Sequence, residues 1–320
     1  MPQFSGVNTA GDFVSLPQAI LDVYSMDILH EALGIMRFEE FAVKKTELSK
    51  QAGETITMSR YNNIQRGGQL DEHVEMDEKA MSMSQQAITV TEWGNAIGVS
   101  EKLLQTSFDD QMAEAGVLLG RDYAIVRDIM CRDTLSRAAQ VIYGGRKASA
   151  AAMDGAVDFF DVELIRLAVE ILQTKNAPKF NGDFYICFLH PHQAAYLKRD
   201  PDWVSAQNYA QTRALFNGEL GRWEDVIFIG TTHCRNGAAS SKDPGYESTF
   251  VNAATGGAAA ANVYESMVFA DSAYGVADAL PVEMRDNGVR DYGRKHGLAW
   301  YSIMGSGLLE DDFIVRFETV

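Results

Sequence analysis

The sequence predicts an α+β protein: a two-layer body carrying slender projections. Three features point there. A long proline-free stretch from Asp109 to Ile142 repeats apolar residues at helical spacing, at Met112, Ala115, Leu119, Tyr123, Val126, Met130, Leu135, Ala138 and Ile142. Two runs, Gly53–Tyr61 and Ile88–Trp93, alternate polar and apolar residues with the period of a strand. Between about 180 and 281, short and almost wholly apolar runs alternate with helical patterns, the arrangement of an α/β layer. A chain of 320 residues has ample length to bury a core in one or two bodies.

In chain order, residues 1–16 are polar and read as an extended arm. A helix begins at Pro17, runs to Leu33 and stops at Gly34. The two alternating runs form a long two-stranded excursion. Its tip is acidic, with Asp71, Glu72, Glu75, Asp77 and Glu78, and Gly67-Gly68 supplies a turn. Such a ribbon has few apolar residues to bury against its own body. A lone two-stranded ribbon is marginal in water, so it needs a neighbour to lie on, either this chain's body or another subunit. The long helix starts at a Ser107 cap and ends at Gly144-Gly145, roughly 50 Å in all, with Gly116 and Gly120 as points where it can kink. A helix over 161–175 follows. Next come a buried strand at 183–189, a helix at 193–198, another at 203–216 and a strand at 226–229. A Gly/Ala/Ser/Asn-rich loop fills 235–261, and a strand spans 263–269, with a turn or short helix at 270–276. A strand at 297–304, broken by Gly305-Ser-Gly307, and a last strand from Asp312 complete the chain.

Composition excludes several classes of function. The hydrophobic fraction of 46% argues against global disorder, and no apolar run is long enough to span a bilayer. The first residues hold neither a basic nor an apolar segment and do not read as a secretory signal. Cys131, Cys187 and Cys234 are odd in number and far apart, which argues for packing in a reducing compartment rather than a disulfide framework. Lys and Arg number 28 against 44 Asp and Glu, a net charge of −16. Cations stand mostly beside acids, so a groove that grips nucleic-acid backbone is not expected.

No phosphate loop, dinucleotide fingerprint or nucleophile elbow is present. Carboxylate pairs such as Asp109-Asp110 and Asp311-Asp312 read as caps and solvated charge. The acidic run at 71–78 lacks the spaced ligands of a calcium loop. The best combination for zinc is scattered, Cys187, His190, His192, His233 and Cys234, where two neighbouring strands would bring His190 near His233. Packing and turn roles are the simpler account of these residues. No cofactor and no catalytic residue is assigned.

The order of parts resembles one family, the tailed-phage major capsid proteins of the Hong Kong 97-type fold, in particular that of the phage N-four group. Gly53-Glu-Thr-Ile-Thr and Arg60-Tyr61-Asn62 resemble the start of the family's extended loop. Ile88-Thr-Val-Thr-Glu-Trp-Gly94 and Ile97–Leu104 resemble its return. Leu118-Leu-Gly-Arg-Asp122 with Arg127-Asp128 falls at the family's spine helix. His190-Pro191, Phe216-Asn-Gly-Glu-Leu-Gly221 and the Val263–Gly275 block follow in family order.

The resemblance implies an N-terminal arm over 1–52 and an extended loop over 53–95. It implies a peripheral domain from 96–179 and 282–320, with a spine helix about 108–143, and an axial domain over 180–281. It implies a structural subunit that self-assembles as hexamers and pentamers into an icosahedral head around double-stranded DNA, without sequence-specific contact. Portal, scaffolding and decoration proteins are the implied partners, the virion capsid the location, and the host cytoplasm the place of assembly. Arg60, Tyr61, Asp71, Glu72, Glu75, Asp77 and Glu78 are the expected inter-subunit contacts. A nanocompartment shell related to the encapsulins is the alternative, and a metal-dependent enzyme using His190, His192 and His233 a second one.

Overall fold

The computed structural model describes residues 36–45, 55–61, 64, 66–69, 76, 78–107, 111–155, 157–203, 219–237 and 263–320. The expected arm over 1–16 and the helix over 17–33 lie outside these residues, as does nearly all of the 203–216 helix.

A six-stranded sheet forms the body. It is built from β5 (Val141–Tyr143), β6 (Tyr185–Leu189), β7 (Glu219–Trp223), β8 (Val226–Gly230), β9 (Tyr264–Phe269) and β12 (Ile314–Thr319), in the order β5-β12-β9-β6-β8-β7. Strand β6 runs parallel to β8, and β12 parallel to β5, while β9 is antiparallel to both β6 and β12. The unbroken apolar run of β6 has a direct cause. Tyr185, Cys187 and Leu189 face one core, and Ile186 and Phe188 the other. The first core is closed by α3 (Val162–Thr174) through Leu164, Ile165, Ala168 and Leu172. Asp161 caps that helix, its carboxylate accepting the Leu164 N–H at 3.0 Å.

A second sheet, of order β1-β10-β11-β4, joins β1 (Val43–Lys45), β10 (Tyr274–Arg290), β11 (Lys295–Leu308) and β4 (Thr91–Ser100). Helix α1 (Glu101–Thr106) continues β4, and α4 (Pro191–Leu197) follows β6. The long helix is α2 (Gln111–Leu135). Its first half places Ala115, Leu119 and Tyr123 against Met284, Leu298, Trp300 and Met304 of the second sheet. Its second half places Cys131 and Leu135 in the body core beside Phe38, Phe188 and Met267. One helix therefore ties both sheets together.

Several sequence expectations are corrected. The long helix stops at Leu135, not near 143, and spans ~37 Å at 1.5 Å per residue. Ala138 and Ile142 kept the apolar spacing for another reason: they are buried in a turn and in β5. Ser107 ends α1, its N–H donating to Leu103 O, and residues 108–110, where the expected cap would open the long helix, lie outside the described residues. Gly116 and Gly120 lie inside an uninterrupted α2. The turn or short helix expected at 270–276 gives way at Tyr274 to the 17-residue β10. The last strand, placed by sequence in the peripheral segment, pairs within the body sheet.

Gly305-Ser-Gly307 does not break its strand either, since β11 runs through it. A Cβ on Gly305 would sit 2.3 Å from Thr89 O, and one on Gly307 2.7 Å from Ile88 Cγ1. These glycines let the base of the ribbon touch the second sheet, so their signal was close approach and not a turn. Gly305→Val is expected to lower the stability of the protein by ~1–3 kcal/mol. Gly67→Ala, where a Cβ meets nothing within 4 Å, serves as the neutral control. Thermal melts followed by circular dichroism check this, and equal midpoints for the two variants would contradict it.

Candidate functional site

The ribbon consists of β2 (Thr55–Tyr61) and β3 (Met83–Thr89), antiparallel, from Thr55 opposite Thr89 to Tyr61 opposite Met83. Only Val90 separates β3 from β4, so the ribbon grows directly out of the second sheet. Its root is apolar on one face. Ile56, Met58, Ile88 and Val90 bury themselves against Ala277, with Ala279, Ile303 and Leu309 around them. The few apolar residues of the ribbon thus lie on this chain's own body, one of the two supports the sequence left open. Among the described residues this apolar contact lies at the root.

Farther out the ribbon is open. Tyr61 is 67% exposed, Met81 74% and Met76 64%, with Ile64 and Met83 also exposed. Glu78 is exposed as well. Arg60 lies on β2 opposite Ser84. Asp71, Glu72, Glu75 and Asp77 fall outside the described residues. Sequence reasoning singled out the acidic side of this tip and missed its apolar side. The available signal was three methionines between 76 and 83 in an otherwise polar stretch. Methionine is flexible and polarisable, and suits a surface that must fit a partner.

A buried ion cluster fixes the chain just before the ribbon. The segment 36–45 holds a 3-10 turn at Phe38–Phe41 and then β1, which pairs in parallel with β10. Arg127 of α2 grips Glu39 of this segment through two hydrogen bonds, at 2.6 and 2.9 Å. The same guanidinium grips Asp278 of β10 through two more, at 2.9 and 2.7 Å, and donates to Tyr123 Oη at 3.0 Å. Lys44 adds a contact to Glu39 at 2.9 Å. The neighbouring Asp128 accepts the backbone N–H of Arg37 at 2.8 Å and of Phe38 at 2.7 Å. Its other oxygen meets His233 Nδ1.

Burial pushes the Glu39 carboxyl up, but Arg127 and Lys44 outweigh it and hold the group below its ordinary 4.5. Burial pushes the Tyr123 phenol up to about 12. Burial disfavours the Arg127 cation, and its carboxylate partners more than restore it, leaving it firmly charged.

The histidines part company. His190 and His192 lie over the ring of Tyr264, at centroid distances of 4.8 and 4.4 Å, whereas His233 is bound to Asp128. Among the described residues no group of three or more His, Cys, Asp or Glu side chains is placed to hold a metal ion. The metal-enzyme reading, which needed His190, His192 and His233 together, is not supported. Cys131, Cys187 and Cys234 are all buried, and burial raises each thiol well above its usual value.

The model of a family described as phage capsid protein matches residues 166–307. The capsid of Ralstonia phage GP4 superposes with a TM-score of 0.70 at 17% identity, over 89% of this chain and 91% of that one. The chain has the Hong Kong 97-type fold of these phage capsid structures. The capsid of cyanophage Pam1 matches this chain with a TM-score of 0.64 at 15% identity, over 90% and 91% of the two chains. A virus-like particle from Pyrococcus furiosus matches with a TM-score of 0.54 at 9% identity, over 93% and 99%. No curated protein matches this chain by sequence. No helix among the described residues is long and apolar enough to cross a membrane.

Two outcomes follow from the ion cluster. Arg127→Met leaves Glu39 and Asp278 buried without their cation, and is expected to cost ~3–5 kcal/mol in urea unfolding of dispersed subunits. Glu39 has its folded-state value below its unfolded one, so its contribution is present above about 4.5 and lost as pH falls below it. The stability difference between wild type and Glu39→Gln should therefore hold steady above pH 5 and shrink toward pH 3. A difference that grows on acidification would contradict the assignment.

Proposed function

We propose that this protein is a phage major capsid protein, the shell subunit of a tailed phage, closing as hexamers and pentamers into an icosahedral head around double-stranded DNA. One observation carries the reading: a ribbon rooted on its own sheet ends in exposed apolar side chains. An isolated two-stranded ribbon is marginal, and exposed tyrosine and methionine clustered at its tip favour a protein partner. Tyr61, Met81 and Met83 would bury themselves on an adjacent copy, with Arg60, Asp71, Glu72, Glu75, Asp77 and Glu78 forming the polar rim. A standard interface buries ~1,600 Å², and repetition of it around a closed shell makes assembly cooperative.

In this reading residues 1–52 are the arm and 53–95 the extended loop. Residues 96–179 and 282–320 make the peripheral part, and 180–281 the axial part, with β5 and β12 crossing over to complete the axial sheet. The charge of −16 suits a wall that encloses DNA without holding it. A portal, scaffolding and decoration proteins would be its further partners, and the host cytoplasm its place of assembly. A purely structural role needs no catalytic group.

Tyr61→Asp combined with Met83→Asp places two charges on the exposed pair at the end of the ribbon. The subunit should fold as wild type, within ~0.5 kcal/mol, because both positions are exposed. It should fail to form shells under conditions where wild type does. Electron microscopy and sedimentation velocity read this out, and shells of normal yield from the double variant would overturn the proposed contact.

A further inference from the structure

Helix α4 begins with an unusual cap. Its first-turn N–H groups need an acceptor, which is ordinarily a serine, threonine, aspartate or asparagine oxygen. Here the acceptor is an imidazole nitrogen: His190 Nδ1 accepts the His192 N–H at 3.2 Å. The box is closed in the other direction by the His190 N–H, which donates to Gln193 Oε1 at 3.3 Å. The amide nitrogen of the buried Gln193 reaches Tyr264 O at 3.1 Å, Ser266 Oγ at 3.2 Å and Thr319 Oγ1 at 2.9 Å. The capped turn is thus the piece that fastens α4 to β9 and β12. An imidazole nitrogen accepts a hydrogen bond only while it carries no proton.

We propose that His190 is a proton-sensitive cap, which fastens α4 to the body sheet when neutral and releases that turn when protonated. The groups on the packed elements around it are these. On α4 itself lie His192 and Tyr196, and the Arg199 guanidinium just past its end stands 5.2 Å from the Tyr196 ring. On β9, the Tyr264 ring lies against both imidazoles. The next residue, Glu265, is engaged by Arg316 at 3.0 Å and Ser136 at 3.0 Å, and Glu318 of β12 also lies near Arg316, at 3.7 Å. Among the described residues no carboxylate pairs with His190 or His192. Burial, aided by His192, pulls His190 down from 6.5 to about 4. Burial also lowers His192, with Arg199 contributing.

The sign follows from linkage. An unfolded chain takes up this proton near 6.5, whereas the folded chain resists until about 4. Stability is therefore full above 6.5, declines between 6.5 and 4, and levels off below. The loosened region would be the α4 turn and the start of β9, so acid would act first on one edge of the body rather than on the ribbon. The inference rests on the fold and is independent of the shell reading.

The test compares full-length wild type with His190→Asn and His190→Ala as dispersed subunits. Asparagine keeps an acceptor at the cap and does not titrate, while alanine removes the acceptor at every pH. Urea unfolding from pH 7.5 to 3.5 should show the wild-type folding constant falling, relative to His190→Asn, by up to about 300-fold across the window, the equivalent of the full shift. Hydrogen exchange at residues 192–194 should lose protection in that window in wild type, at every pH in His190→Ala, and not in His190→Asn. Should a variant fail to fold, titration of the His190 ring in wild type by NMR decides alone. A midpoint near 4 upholds the cap. A midpoint near 6.5, or the same pH slope for wild type and His190→Asn, overturns it.

Discussion

The architecture hangs on one buried cation. Arg127 sits in the middle of α2, where a core-facing residue would normally be apolar, and holds a carboxylate from each of two distant segments. Glu39 lies 88 residues before it and Asp278 151 residues after it. Desolvating three charges is expensive, and fully bidentate geometry on both sides is what makes it tolerable. A well-packed apolar substitute of all three could be as stable. What the ions supply is register: the turn before β1, the long helix and β10 meet in one arrangement. Asp128 adds to this by capping the same turn through Arg37 and Phe38.

From that junction the remaining geometry follows. With α2 fixed, its two halves serve two sheets, one through Leu119 and Tyr123 and the other through Cys131 and Leu135. With β10 fixed, β11 and β4 pair alongside it, and the ribbon leaves from β4 across a single residue, Val90. Gly305 and Gly307 then admit the root of the ribbon against β11. Among the described residues of its outer part, Tyr61, Met76, Met81 and Met83 remain exposed. A rigid base with an unsupported apolar end is the form expected of a subunit that completes its packing on copies of itself.

The sequence was most readable where periodicity and burial agree. The strands at 185–189, 226–230 and 264–269 and the helix at 162–174 stand within a residue or two of their expected bounds, because each is long, apolar and punctuated by turn residues. It misled where one pattern had two physical sources. Ala138 and Ile142 prolonged a helical spacing although one lies in a turn and the other in a strand. Gly305 and Gly307 looked like a break, yet they serve close approach. The 17-residue β10 escaped notice because, beyond Leu280, its faces mix charge with apolar residues, as its exposed and half-buried pattern reflects. At the candidate contact, the acidic tip was legible as composition. The methionines beside it were legible only once their exposure was known. The pairing of Arg127 with Glu39 and Asp278 could not be read at all, since neither separation leaves a local signal.

The central claim is that the outer ribbon gains its order from neighbouring copies. Hydrogen exchange of the ribbon in dispersed subunits and in assembled particles tests it most directly. The account predicts that amides near Tyr61 and Met83 exchange freely in the dispersed subunit and become strongly protected in the particle, while those at Ile56 and Ile88 are protected in both. Equal protection of the outer ribbon in the two states would contradict it.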